Sequence, residues 1–277
     1  MVDRVIPVSA YDAAAPNRRG RAHADLREGF SRWRLAWVLA RSDITHRYRG
    51  SVLGPLWMTL STAIMLLCLG LLYSKLFQLE LAVYLPWLGV SLIIWTVISQ
   101  VFADAGSTLT SAEGIIRQMP VPYTVQALRT VFRNILVAAH NLPLIAIVFY
   151  FFDYQVSWSA LGAVAGLLLL CVNAFWLSLL LGILCARFRD IPPIIGSLVQ
   201  VAFFATPVIW KPELILEWEP YLPLNPFFAI MEVVRGPILG TPVSAFVWVM
   251  ALFYTAIIWT VAQAFFVRFR GRVAFWV

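Results

Sequence analysis

Six long apolar stretches dominate the pattern of hydrophobic and polar positions along the chain. The first begins abruptly, because Arg41, Arg47 and Arg49 precede 25 residues, 50–74, that carry no charge. A membrane-crossing α-helix needs only about 20 apolar residues to cover ~30 Å of hydrocarbon. The other long charge-free runs are 81–103, 134–152, 154–186, 191–210 and 236–267. The pattern therefore predicts an all-α integral membrane protein with a bundle of six transmembrane helices over 50–267.

The basic residues predict how this bundle is oriented. Of the 21 arginines and lysines, all but Lys75, Lys211 and Arg235 fall on one predicted side of the membrane. That side is expected to be cytoplasmic, because cytoplasmic loops carry the excess of basic residues. Both termini, including 268–277, are then cytoplasmic. The net charge of +7 is explained by the basic residues on the cytoplasmic side. Nucleic acid is therefore not the expected partner.

Composition agrees with a membrane protein. Of the 277 residues, 61% are hydrophobic and 13% are charged, whereas soluble domains are nearer ~45–50% apolar and ~25% charged. Cys68, Cys171 and Cys185 fall within or beside apolar runs, so no disulfide framework is expected. Metal-ligand spacing is absent from the sequence as well, and no metal site is expected.

The polar N-terminal region is predicted to contain a tail and then a helix. Residues 1–29 lack the apolar segment of a signal peptide and are expected to form a disordered cytoplasmic tail, with anionic lipid contact as the alternative. In 30–49, tryptophans share one helix side and arginines flank it. These residues are Trp33, Arg34, Trp37 and Arg41. Such a helix suits the membrane interface; packing against the bundle is the alternative.

Two connections have patterns that are unusual for simple turns. The inner segment 104–130 is predicted to hold a short helix, ended by Pro120, that exposes two adjacent isoleucines. The expected docking residues are Glu113, Ile115, Ile116 and Arg117, with a solvated loop as the alternative. The outer segment 211–242 has six prolines, too many for one helix, but is apolar. It is predicted to form short helices that dip into the outer leaflet beside a cavity.

Two predicted spans carry matched stripes of small, polar and aromatic residues. Each stripe follows a spacing of four and three residues, which keeps it on one helix face. The candidates for a substrate path are Trp57, Met58, Ser61, Met65, Gln200, Phe203, Phe204, Pro207 and Trp210. Pro207 is expected to kink the fifth helix by removing a backbone hydrogen bond. Helix–helix packing is the alternative explanation of both stripes.

Missing chemistry narrows the possible functions. Neither lysine stands in a GxxxxGK[ST] loop that would hold nucleotide phosphates. The spans as predicted hold none of the charged residues that ion-driven carriers use as relays. Energy for transport is then expected from another polypeptide, with a passive channel or carrier as the alternative. His140 is expected to hydrogen-bond a neighbouring helix and not to serve in catalysis.

Three segments resemble one family of transporters. They are RYRGSVLGPLWMTLS at the first span, RDIPPIIGSLVQVAFFATPVIW at the fifth, and LNPFFAIMEVVRGPILG before the sixth. In this order they are similar to the inner-membrane permeases of ABC-type polysaccharide exporters, the O-antigen and teichoic-acid group. The resemblance implies the ABC-2 type fold and a transport subunit that is not itself an enzyme.

The same resemblance implies partners and a cargo. Two copies would form a path between their first and fifth helices, and the docking loop would contact a separate ATPase that binds ATP and Mg²⁺. The chain itself would then hold no cofactor. The implied cargo is a lipid-linked polysaccharide such as O-antigen, carried on undecaprenyl diphosphate across the bacterial inner membrane. Capsule polysaccharide, teichoic acid and a small lipid or drug are the alternatives.

Overall fold

A computed structural model of the protein describes residues 17–47, 49–51, 54 and 56–277. Within these residues the regular secondary structure is helical, with no strand. The helices are α1 Arg18–Ser31, α2 Trp33–Arg47, α3 Leu56–Leu76, α4 Leu81–Ser107, α5 Glu113–Gln118, α6 Tyr123–Phe151, α7 Ala163–Arg187, α8 Ile191–Ala205, α9 Pro226–Ile238, α10 Ala245–Phe269 and α11 Val273–Trp276. Short 3-10 helices are Thr110–Ala112, Trp158–Gly162, Pro212–Ile215, Glu219–Leu224 and Arg270–Arg272.

Five helical stretches in the described residues are long and apolar enough to cross a membrane. They are Thr59–Leu76, Leu81–Ser107, Tyr123–Phe151, Trp158–Arg187 and Ala245–Trp276. They correspond to the first, second, third, fourth and sixth predicted spans. The apolar helices therefore identify a multi-pass membrane protein.

The predicted fifth span, 191–210, is only partly helical. Helix α8 has 15 residues, which extend about 22 Å and fall short of the ~30 Å hydrocarbon layer. The chain then forms a buried turn from Thr206 to Ile209. The predicted kink at Pro207 is wrong, because the proline lies beyond the end of the helix. Asn225 holds the turn by donating its amide Nδ2 to Thr206 Oγ1 at 3.0 Å.

The last long helix begins later than the charge-free run suggests. Gly236 belongs to α9, and α10 starts at Ala245. Ser244 caps α10, since its hydroxyl oxygen accepts a hydrogen bond from the Val247 N–H at 3.3 Å. Gly240 has a φ of +65° in the link between the two helices, a conformation that favours glycine. The boundary is therefore set by a cap and a turn.

Helix α4 forms the centre of the bundle and packs against α3, α6, α7, α8 and α9. One apolar cluster joins α4 residues such as Tyr84 and Trp95 to Met231 of α9. A second cluster joins α1, α2, α6, α7 and the C-terminal residues. A Cβ added at Gly166 of α7 would lie 2.4 Å from the Val233 carbonyl oxygen of α9. Glycine is therefore needed for the close approach of these two helices.

Part of the predicted N-terminal tail is helical. Residues 1–16 lie outside the described structure, but α1 starts at Arg18 after an Asn17 cap. Asp25, in the middle of α1, is buried and accepts hydrogen bonds from Thr124 N at 3.1 Å and from Arg270 Nε at 2.8 Å. These bonds fasten α1 to the start of α6 and to the end of the chain. The disorder prediction is therefore wrong for residues 17–29.

Candidate functional site

The stripe on α3 lies on the open surface of the chain. Trp57 is 55% exposed, and Ser61 and Met65 follow it on the same exposed face. The opposite face packs on α4, where Leu66 and Gly70 are buried. The side chain of Met58 lies outside the described structure. The side chains of Trp57, Ser61 and Met65 are therefore not covered by packing among the described residues.

The residues predicted on the fifth span separate into two groups. Gln200 and Phe204 lie on the exposed face of α8. Phe203 is half-buried, with its ring 5.6 Å from the ring of Trp95 in α4. Trp210 is also half-buried and donates its indole N–H to the Phe204 carbonyl at 3.1 Å. Only the first group faces outward as a path residue would.

Pro207 is not on the open face. It is buried, and its carbonyl accepts a hydrogen bond from Arg235 Nη1 at 2.6 Å. Its place among the candidate path residues is therefore corrected. The sequence spacing failed here because α8 ends before the proline and the chain turns inward.

Helices α3 and α8 lie against one side of α4. Leu85 and Leu88 of α4 face Gly70 of α3, while Trp95 faces Phe203 of α8. Trp95 comes seven positions after Leu88, so the two side chains are about 20° apart around the axis of α4. The two helices that carry the candidate stripes therefore both pack on α4.

The predicted docking loop has a different exposed surface from the one expected. Ile116 is only 4% exposed and packs with Ala112 in the second apolar cluster, and Ile115 is half-buried. The prediction of two exposed isoleucines is wrong, because the 3-10 turn and α5 fold back onto the bundle. The apolar residue that this loop exposes is Met119, at 52%.

The charged residues of the loop bind each other and the C-terminus. Arg117 forms an ion pair with Glu113 at 2.9 Å. Arg117 Nη2 also donates to the Val277 carbonyl oxygen at 2.7 Å. The loop is therefore fastened to the C-terminal residues, and a sequence separation of 160 residues hides this contact from local patterns.

Helix α2 packs against the bundle on one side and exposes tryptophans and arginines on the other. Its alanines Ala36 and Ala40 are buried, and the helix packs against α6. Trp33 and Arg34 are exposed, with the Arg34 guanidinium 5.7 Å from the Trp33 ring centre. Trp37 is exposed too, and its ring contacts Phe132 of α6 edge to face at 5.6 Å. Arg41 is exposed on the same helix.

An ionic network at one end of α2, α4 and α6 escaped the sequence interpretation. Asp43 accepts from Arg129 Nε at 2.7 Å and from Arg133 Nη1 at 3.1 Å. Arg133 Nε also donates to Asp104 at 3.1 Å. Helices α4 and α6 extend beyond the charge-free runs 81–103 and 134–152, so Asp104 and Arg133 lie within the helices and just outside the predicted spans. The sequence did contain a signal for this network. Asp104 follows the second charge-free run and Arg133 precedes the third, so antiparallel neighbouring helices bring the two residues to the same end of the bundle.

The pKa of Asp43 reflects this network. Burial alone would raise it, but the hydrogen bonds and positive charges of Arg129 and then Arg133 outweigh burial. The pKa of the Asp43 carboxyl is therefore below its ordinary value of 3.8. The network is an ion cluster that holds α2 against the bundle.

Arg235 lies on α9, one of the short helices of segment 211–242. It is 1% exposed, and its Nε donates to Glu232 Oε2 at 2.9 Å while Nη1 donates to Ser91 Oγ at 3.1 Å. Its guanidinium lies 4.9 Å from the ring centre of Trp87. Arg235 thus connects α9, α4 and the turn after α8. It also lines a cavity of about 750 Å³ together with Lys211.

His140 makes a local contact. Its Nδ1 lies 2.6 Å from the Leu136 carbonyl of its own helix. The contact to a neighbouring helix runs through its backbone, because the His140 carbonyl accepts from Thr59 Oγ1 of α3 at 2.7 Å. The expected hydrogen bond between His140 and a neighbouring helix is present, and it uses the backbone carbonyl.

Five long apolar helices in the described residues define a multi-pass membrane protein. Residues 34–239 match the family described as ABC-2 type transporter, and the chain belongs to this family. The resemblance inferred from three short segments is thus confirmed.

Two relatives are similar over most of the chain. The O-antigen export system permease protein RfbA of Myxococcus xanthus is 24% identical over 70% of this chain and 75% of its own length. The protein of the same name from Klebsiella pneumoniae is 25% identical over 82% of this chain and 88% of its own length. The chain thus resembles O-antigen export permeases.

Proposed function

We propose that this chain is the membrane-spanning permease subunit of an ATP-driven exporter in the bacterial inner membrane. Its cargo would be a lipid-linked polysaccharide such as O-antigen, on undecaprenyl diphosphate. The family and the names of the two relatives support this class of cargo. The observation that carries the proposal is the open face of α3, where Trp57 and Met65 are 55% and 46% exposed.

The proposed working unit is a homodimer. Each copy has six spans with both termini in the cytoplasm, and α8 with the turn after it serves as the fifth. Only 17% of the apolar window of α3 is buried within one chain, which leaves a face for a second copy and for cargo. Segment 211–242 forms the outer re-entrant region, supported by the cavity that it lines.

Exposed aromatic and polar residues on α3 and α8 suit a sliding glycan. Trp57 and Phe204 offer apolar faces to sugar rings, while Ser61 and Gln200 offer hydrogen bonds that are easily exchanged. Apolar contact is non-directional and grows with the area removed from water, so it can hold a chain without fixing its register. A polymer can then advance without a deep binding minimum.

The proposed energy source is a separate ATPase that binds ATP and Mg²⁺, so this chain is a transport subunit without a cofactor of its own. Docking would use the exposed part of the inner loop, with Met119 as the apolar contact and Glu113 and Arg117 beside it. Capsule polysaccharide, teichoic acid, and a small lipid or drug are the alternative cargoes, and a passive carrier is the alternative mechanism.

Deletion of the gene in its own host tests the export proposal. Surface polysaccharide should be lost while lipid-linked polysaccharide accumulates on the cytoplasmic side, because synthesis continues without export. The wild-type gene on a plasmid should restore the surface polymer. Normal surface polymer in the deletion strain would contradict the proposal, and loss of a different surface polymer would reassign the cargo.

A further inference from the structure

A cavity of about 290 Å³ lies where the ends of α7 and α10 meet the C-terminal helix α11. We name it the inner-end cavity, because the arginine-rich side of the bundle is the predicted cytoplasmic side. Its lining residues are Ile183, Leu184, Arg187, Phe188, Phe265, Phe269, Arg272 and Trp276. Six of these eight are apolar or aromatic, and the charged residues are both arginines.

Arg187 is placed at this cavity by aromatic rings. It is the last residue of α7 and is exposed. Its guanidinium lies 5.6 Å from the ring centre of Trp276 and 5.7 Å from that of Phe188. Ring faces attract a cation without neutralising its charge. In the described part of the chain, neither Arg187 nor Arg272 forms an ion pair, so both charges are available to an anion.

A second set of arginines adjoins the cavity through Arg272. A shallow recess there is lined by Arg18, Arg21, Val267, Arg268, Arg270, Gly271 and Arg272. We call these five arginines, together with Arg187, the arginine patch. Asp25 of α1 forms an ion pair with Arg270 of this patch. An apolar cavity thus opens beside a dense positive surface.

An amphiphilic anion is the ligand that this combination fits. A soluble anion would gain little from walls of phenylalanine and leucine, and a neutral lipid would gain little from the arginines. The cavity lies at the ends of two membrane-spanning helices, the depth at which lipid phosphates lie. Basic pockets between transmembrane helices on the cytoplasmic side are suited to anionic headgroups.

We propose that the inner-end cavity binds an anionic phospholipid of the surrounding bilayer. Arg187 and Arg272 would hold its phosphate, since guanidinium groups match phosphate oxygens in pairs. Its chain would lie along Leu184, Phe265 and Phe269. The bound lipid would hold α7, α10 and α11 together. The site is on other helices than the stripes of α3 and α8, so it does not depend on the proposed cargo.

Native mass spectrometry of the protein in neutral detergent tests this site. Wild-type protein should bind phosphatidylglycerol more tightly than phosphatidylcholine of the same chain length. The double variant Arg187→Gln/Arg272→Gln should weaken phosphatidylglycerol binding by roughly thirtyfold, about fivefold for each arginine removed. As a matched control, Arg27→Gln/Arg47→Gln removes the same charge from exposed positions away from the cavity and should change binding little.

A second variant separates the cavity from charge alone. Leu184→Trp fills the cavity and keeps every arginine, so it should also weaken phosphatidylglycerol binding, with folding checked by the thermal denaturation midpoint. Equal binding of the two lipids by wild-type protein would overturn the proposal, and so would unchanged binding in Arg187→Gln/Arg272→Gln. Displacement of phosphatidylglycerol by an equal concentration of undecaprenyl phosphate would overturn the assignment to a bilayer lipid and give the site to a carrier lipid.

Discussion

A network of ion pairs holds helix α2 against the bundle. Asp43 binds Arg129 and Arg133, and Arg133 continues the network to Asp104. The exposed fractions of these four side chains lie between 8% and 18%. Removing one member of a buried ionic network leaves its partners desolvated without compensation. The positions of α2, α4 and α6 therefore depend on the complete set.

Replacing Asp43 by alanine should destabilise the protein strongly. Loss of one partner of a buried ion pair costs about 3–5 kcal/mol, and the partial exposure of Asp43 places the expected loss near about 3 kcal/mol. The measurement is the thermal denaturation midpoint in detergent. Glu28→Ala is the matched control, because it removes an exposed partner of Arg32 and should cost about 0–1 kcal/mol. Equal midpoints for both variants would contradict the role of the network.

The pH dependence of the stabilisation that Asp43 provides follows from its lowered pKa. A carboxyl with a lowered pKa in the folded state stabilises the protein above its unfolded pKa and loses that effect as the pH falls through the folded pKa. The midpoint difference between wild type and Asp43→Ala should therefore be constant between about pH 5 and 8 and shrink below about pH 4. A difference that disappears between about pH 5 and 7 would show that another group is responsible.

At the scale of elements, helix approach is set by small residues. The contact of α7 with α9 requires Gly166, because backbone atoms of α9 occupy the place of a side chain. Gly196 of α8 has nothing within 4 Å of an added Cβ. The two glycines therefore have different reasons to be present.

Gly166→Ala should force α7 and α9 apart and lower the denaturation midpoint. Overpacking of this kind costs about 1–3 kcal/mol. Gly196→Ala, the matched control, should leave the midpoint unchanged or raise it slightly, because alanine favours helix. If the two variants had the same midpoint, the close approach seen at Gly166 would not be a stabilising constraint.

Variants of the docking loop should separate an effect on folding from an effect on binding of the proposed ATPase subunit. Met119→Asp should leave the protein folded, because the side chain is half exposed, and should abolish co-purification with the ATPase subunit by placing a charge in an apolar contact. Met119→Leu keeps the apolar surface and should retain the partner. Ile116→Asp should instead reduce the amount of folded protein, since Ile116 is buried. Normal recovery of the ATPase with Met119→Asp would refute this docking surface.

Much of this arrangement could be predicted from local pattern, and the exceptions have a common cause. Five spans follow from apolar length, and the exposed stripe of α3 follows from helical periodicity. The end of α8 depends on Asn225, and the burial of Ile116 depends on contacts across the second apolar cluster. Helix α1 depends on Asp25 meeting Thr124 and Arg270. Such partners are distant in sequence, so spacing alone cannot find them.

At the scale of the whole molecule, one chain leaves apolar faces of α3, α8 and α10 uncovered. A pair of chains would enclose a path lined by the stripes of α3 and α8, while α10 would face lipid. Aromatic residues on α10 therefore provide a control that is matched in residue type and exposure. Phe253 and Trp259 are 52% and 51% exposed.

Export per inserted transporter tests the central claim most directly. In a strain without its own permease, Trp57→Ala/Phe204→Ala should reduce surface polysaccharide per transporter by on the order of tenfold, since the apolar contact area of two aromatic rings is lost. Its insertion should be normal, because both side chains are exposed. The control Phe253→Ala/Trp259→Ala should export as wild type does. Unchanged export in Trp57→Ala/Phe204→Ala, or an equal loss in both pairs, would contradict a path along α3 and α8.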